Sequence, residues 1–114
     1  MTARRVVVCR LEELADRDAR GFGFREDACG HDGFVVRSGD AVYAYRNVCP
    51  HAGNPLNWKP HAFLSKKRDL ILCSVHGAAF DIETGQCVGG PCPGRALESM
   101  RAAVEAGDVA VYPD

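Results

Sequence analysis

The chain has no apolar run long enough to cross a membrane, and the short stretch near its start, Val6-Val7-Val8-Cys9, is too brief for the apolar part of a secretion signal. It has no surplus of either charge: the formal net charge is −1, with no basic arm and no interleaving of aromatic and basic residues. Nucleic acid is therefore not an expected partner. No repeat, linker or low-complexity run divides the 114 residues, so one domain over 1–114 is expected. A domain of that size has a modest core, and a metal site would help to fix its loops. Without an export signal the expected location is the cytoplasm, where six cysteines are not expected to form a disulfide scaffold.

What is present is a split pair of metal-ligand motifs. Cys49-Pro50-His51 lies mid-chain, and Cys73-Ser74-Val75-His76 follows with Gly77 directly behind it. Side chains two residues apart on an extended turn diverge, so one Cys-x-His segment wraps a single metal poorly. It can, however, hand a thiolate to one iron and an imidazole to a neighbouring iron. Two such loops facing each other would grip a two-iron cluster with two Cys on one iron and two His on the other. A glycine after the second His would let the backbone pass close to inorganic sulfide. A tetrahedral zinc site takes the same four ligand types and stays open on these residues alone. Zinc motifs more often place both Cys in one half and both His in the other, which favours iron here.

Beyond the ligands, Gly33 to Tyr112 resembles a Rieske domain. The matching segments are CPHAG at Cys49 to Gly53, CSVHGAAFD at Cys73 to Asp81, and Gly90-Pro91-Cys92-Pro93, which is similar to the proline loop that covers the cluster in that family. The resemblance implies an all-β fold, a Rieske-type antiparallel β-sandwich with a small cluster-binding subdomain at hairpin tips, the cluster-binding loops lying within 47–94. It implies one Rieske-type [2Fe-2S] cluster held by Cys49, His51, Cys73 and His76. It also implies a Rieske-type ferredoxin that takes an electron from a flavoprotein reductase and passes it to a terminal oxygenase. A small Rieske-like subunit of a reductase such as nitrite reductase and a zinc-stabilised interaction module are the alternatives. Catalysis by the chain itself would need a two-His-one-carboxylate iron site, and only four His are present.

The departures from the family pattern are informative. High-potential members carry an extra Cys in each ligand loop, joined as a disulfide; the matching positions here are Asn54 and Val75. Those members also place a Ser after the His-Gly step and a Tyr two residues later, whereas this chain has Ala78 and Phe80. With those hydroxyl donors missing, the reduced state is less stabilised, and a potential near the lower end of the Rieske range of roughly −150 to +300 mV is expected. The stretch from Ala52 to Leu72 is longer than the family's usual spacing and holds Trp58, His61, Phe63 and Lys66-Lys67-Arg68. His61 is not expected to touch iron. The three cations are a solvated turn or a docking surface for an acidic partner.

Cys9, Cys29, Cys87 and Cys92 are expected to be small apolar or loop residues, with Cys92 brought near the cluster by the proline loop, and Cys29-Gly30-His31 is expected to be a turn. Strands are expected at Phe34 to Arg37 and Ala41 to Tyr45 around a Ser38-Gly39-Asp40 turn, at Leu70 to Leu72, and at Ala79 to Ile82. Ala96 to Ala106 has helix propensity, with Leu97, Met100 and Val104 at helical spacing. Matched to the Rieske pattern it is instead a strand, a turn at Ala106-Gly107-Asp108 and a closing strand, and this is the expectation adopted. Leu11 to Leu14 reads as one helical turn.

Overall fold

The structure is a computed structural model describing residues 5–23, 32–48, 56, 61, 63–65, 67–73, 77–90 and 94–113. Its strands are β1 (Val6–Arg10), β2 (Ala19–Phe22), β3 (Gly33–Ser38), β4 (Ala41–Arg46), β5 (Leu70–Leu72), β6 (Ala79–Asp81), β7 (Cys87–Gly89), β8 (Ser99–Glu105) and β9 (Asp108–Tyr112). A 3-10 turn, Leu11–Glu13, stands where the helical turn was expected. All strand pairings are antiparallel, in a six-stranded sheet ordered β1-β9-β8-β4-β3-β2 and a three-stranded sheet ordered β5-β6-β7.

The larger sheet folds over at β8. Ser99 and Met100 pair with Tyr45 and Ala44 of β4, whereas Arg101 to Glu105 pair with β9. The two halves then face each other. Cys9 and Val109 from one half pack with Val35 and Val42 from the other, and Val111 packs with Phe22, Ala44 and Met100. A register shift between Val7 and Cys9 adds a residue to β1, so that both Val8 and Cys9 reach this core.

Period-2 alternation explains why β3 carries four successive buried residues from Gly33 to Val36. Val35 points into the sandwich, while Phe34 and Val36 point the other way, into the cluster that holds the smaller sheet. That second core contains Tyr45, Leu56, Phe63, Ile71, Cys73, Ala78, Phe80, Ile82 and Leu97. Phe34 and Phe63 stack at 4.3 Å between ring centroids and 13° between planes. Burying each such ring contributes about 1.5–3 kcal/mol.

Turn chemistry overrides helix propensity between β8 and β9. Glu105 pairs with Asp108, leaving Ala106 (φ 52°) and Gly107 (φ 84°) as a two-residue hairpin turn with both φ positive. A helix cannot continue through that conformation. The β3–β4 hairpin also closes through a two-residue turn, Gly39-Asp40, in which Gly39 alone has a positive φ (64°), with Ser38 opposite Ala41. Strands β1, β2 and β7 were not expected from the sequence.

Candidate metal centre

The second ligand motif sits on the hairpin between β5 and β6. The Cys73 N–H donates to the Ala78 carbonyl at 2.8 Å, and the Gly77 N–H donates to the Cys73 carbonyl at 2.9 Å. These bonds fix the backbone at Cys73 and Gly77, the described residues that flank Ser74 to His76 in the sequence. Gly77 has φ 71°, and a Cβ built there meets nothing within 4 Å. Its glycine is required by backbone conformation, not by protein crowding.

Cys73 is a free, fully buried thiol packed in the same apolar cluster as Leu56, Ala78 and Phe80. No side-chain hydrogen bond engages its sulfur among the described residues, which suits a sulfur that becomes a metal-bound thiolate. Of the four expected ligands, Cys49, His51 and His76 lie outside the described residues, as do Asn54, Val75 and Cys92.

The third motif begins at Gly90, whose φ is 89°. A Cβ there would lie 2.6 Å from Ala78 Cα and 3.1 Å from the Gly77 carbonyl oxygen. Only glycine lets the backbone press this closely on the second ligand turn. The start of the proline segment is thus seated against the residues that follow His76.

The first ligand segment is tied at both ends. Val48 ends the described part of the β4 side, and Leu56, on the far side of Cys49 and His51, is fully buried in the cluster with Cys73. The Leu56 N–H donates to Asn47 Oδ1 at 2.7 Å, and the Asn47 N–H donates to the Asp32 carbonyl at 2.9 Å. Sequence reasoning passed over Asn47, because an Asn beside a loop is commonplace and only burial marks this one.

The His61 Nδ1 accepts a hydrogen bond from the Gly21 N–H at 3.0 Å. Gly21 lies on β2, the outer strand of the larger sheet, so the imidazole satisfies an edge donor. Of the three cations at 66–68, Arg68 donates to Asp18 at 3.0 Å, and Lys66 lies outside the described residues. Lys67 and Arg68 sit in a turn, since the Ser65 N–H donates to the Leu70 carbonyl, the Arg68 N–H to the Ser65 carbonyl, and Leu64 bridges Ile71. Cys9 is buried in the sandwich, where desolvation pushes its thiol pKa up. The Cys87 Sγ donates to the Gly89 carbonyl at 3.2 Å, and Cys29 and His31 lie outside the described residues. Among the described residues, no helix is long and apolar enough to cross a membrane.

Comparison with known proteins agrees with this geometry. The chain is similar to a chain in the complex of reduced oxygenase and oxidised ferredoxin of carbazole 1,9a-dioxygenase, with TM-score 0.76 and 26% identity, covering 99% of this chain and 96% of that one. It is similar to the ferredoxin of carbazole 1,9a-dioxygenase from Nocardioides aromaticivorans IC177, with TM-score 0.75 and 28% identity over 98% and 100%. A ferredoxin of Sphingomonas yanoikuyae B1, 20% identical over 97% and 100% with TM-score 0.69, shares the fold. No curated protein matches. The family model described as Rieske [2Fe-2S] domain matches residues 4–113. The buried Cys73 thiol on its closed turn, the close seat of Gly90 and this match over nearly the whole chain lead to one conclusion: the chain belongs to the Rieske [2Fe-2S] domain family, whose cofactor is the Rieske-type [2Fe-2S] cluster.

Proposed function

We propose that this chain is a one-domain, cytoplasmic ferredoxin that carries one electron at a time on a Rieske cluster, from a flavoprotein reductase to a terminal oxygenase. Cys49 and Cys73 hold one iron, and His51 and His76 hold the other. The observation that carries this reading is end-to-end likeness to a dioxygenase ferredoxin, covering 98% of this chain and all of that one. The local structure supports it. Cys73 is anchored by backbone bonds on both sides, so its sulfur has a fixed place, and the apolar packing of Leu56, Ala78 and Phe80 around it excludes water.

When bound, the cluster supplies a one-electron couple. The chain's own residues hold it in place and leave the imidazoles as the ligands with ionisable N–H groups. With His51 and His76 assigned to the cluster, His31 and His61 are the remaining histidines, and His61 Nδ1 is engaged with the Gly21 N–H.

Electron paramagnetic resonance of the reduced protein tests the ligand assignment. His51→Ala and His76→Ala are each expected to abolish the Rieske signal, and His31→Ala and His61→Ala to leave it intact. A signal that survives loss of His51 and disappears with His61 would overturn the assignment. For the carrier role, reduction by a flavoprotein reductase and reoxidation by an oxygenase are measured in stopped flow. Reduction without onward transfer to any oxygenase would count against the acceptor named here.

A further inference from the structure

Asn47 is the one buried polar side chain among the described residues, 5% exposed at the end of β4. A buried carboxamide is costly unless it is bonded, so its position calls for a use. Its oxygen accepts the N–H of Leu56, nine residues further on. The stretch between them contains Cys49 and His51. Both ends of this clamp are anchored independently. Asn47 is held through its own N–H by the Asp32 carbonyl, and Leu56 is 0% exposed in the cluster that also contains Cys73, Ala78 and Phe80.

We propose that Asn47 is a positioning residue of the metal centre: its carboxamide oxygen ties Leu56, which packs with Cys73, to the end of β4, and so joins the residues that flank Cys49 and His51 in the sequence. The proposal rests on the assignment of Cys49 and His51 as ligands. The physical argument is one of entropy and register. With the clamp closed, the two ligands of the segment are held within a short, anchored span, and the cluster does not have to order them on its own. With the oxygen removed, the Leu56 N–H stays buried without its acceptor, and the returning end of the segment loses its anchor to β4.

The test uses the protein as purified, with its cluster, in three variants: Asn47→Ala, Asn47→Asp and Val35→Ala. Val35 packs in the opposite core, away from Cys73, and serves as a control for general loss of stability. Bleaching of the visible absorbance under excess iron chelator is followed well below the unfolding temperature, together with hydrogen exchange at the Leu56 amide. Asn47→Ala is expected to bleach about tenfold faster than wild type and to expose the Leu56 amide, the size of effect that follows from one unsatisfied buried donor. Asn47→Asp keeps an acceptor oxygen and is expected to bleach more slowly than Asn47→Ala. Val35→Ala is expected to lose thermal stability and bleach at the wild-type rate.

Wild-type bleaching in Asn47→Ala, or equally fast bleaching in Val35→Ala, would overturn the positioning role alone. Asn47→Asp behaving like Asn47→Ala would overturn the assignment to the oxygen. A wild-type protein without iron and sulfide would overturn the ligand assignment itself, and this proposal with it.

Discussion

The Tyr45 hydroxyl donates to the Ile82 carbonyl at 2.6 Å, and this bond clips the three-stranded sheet to the six-stranded one. The contact continues along the ring: a Cβ at Gly85 would lie 2.6 Å from Tyr45 Cε1, so the β6–β7 turn rests on the phenol face only because residue 85 is glycine. Asp81 shapes that turn, accepting from the Thr84 N–H and hydroxyl. The metal-centre hairpin is thus oriented by one aromatic side chain of the main sheet.

Removing that hydroxyl should have a pH signature. Burial, reinforced by the charges of Asp81, Tyr43 and Glu83, raises the Tyr45 pKa above its ordinary value of 10.0. A raised pKa means that the folded state keeps a proton the unfolded state gives up, so this contribution is full below pH 10 and is lost as pH climbs further. Tyr45→Phe is expected to cost about 1–2 kcal/mol near neutrality, through the stranded Ile82 carbonyl. The gap to wild type should then narrow above about pH 10. Urea unfolding at both pH values checks this; a gap that is constant with pH would contradict it.

Gly90 and Gly77 make a matched pair for testing the seat of the third segment. Both have positive φ, but only Gly90 lacks room for a Cβ. Gly77→Ala is expected to cost about 1–2 kcal/mol from backbone conformation alone. Gly90→Ala adds a clash with Ala78 and should cost roughly 1–3 kcal/mol more. Equal losses in chemical denaturation would mean that Gly90 does not press on the second ligand turn.

His61→Ala is expected to lower stability by about 1 kcal/mol, because the Gly21 N–H at the β2 edge loses its acceptor. Iron content and visible spectrum should not change. Iron lost in that variant, with the fold intact, would restore His61 as a ligand.

Several features were legible in the sequence because they follow from local chemistry. The Gly39-Asp40 turn, the apolar run from Leu70 to Leu72 and the Cys73 motif all declare themselves within a few residues. The strand at Ser99–Glu105 was expected from its match to the Rieske pattern, and the structure has it, but its local propensity does not show it. Helix formers dominate it, and pairing with Ala44, Tyr45 and β9, together with the left-handed Ala106-Gly107 turn, decides its conformation. Strand β1 was read only as too short for a span or a signal, since its one-residue bulge breaks the alternation that marks a strand. Asn47, Tyr45 and His61 act through partners 9, 37 and 40 residues away, and no local pattern shows such pairings.

The absence of hydroxyls at positions 78 and 80 makes a prediction about potential. Ala78 and Phe80 are both fully buried beside Cys73, so neither side chain donates a hydrogen bond where the family's high-potential members do. Voltammetry is expected to give a midpoint near the lower end of the range of roughly −150 to +300 mV, flat near neutral pH and falling only in alkaline solution as the imidazole ligands lose protons. Ala78→Ser with Phe80→Tyr should raise it. A wild-type midpoint near the positive limit, or no rise in the double variant, would contradict the argument from missing donors.

The central claim, a two-iron centre divided between two thiolates and two imidazoles, is tested most directly by counting iron, acid-labile sulfide and zinc in the protein as purified. The account predicts a coloured protein with about two irons and about two sulfides per chain. Stoichiometric zinc without sulfide would contradict it.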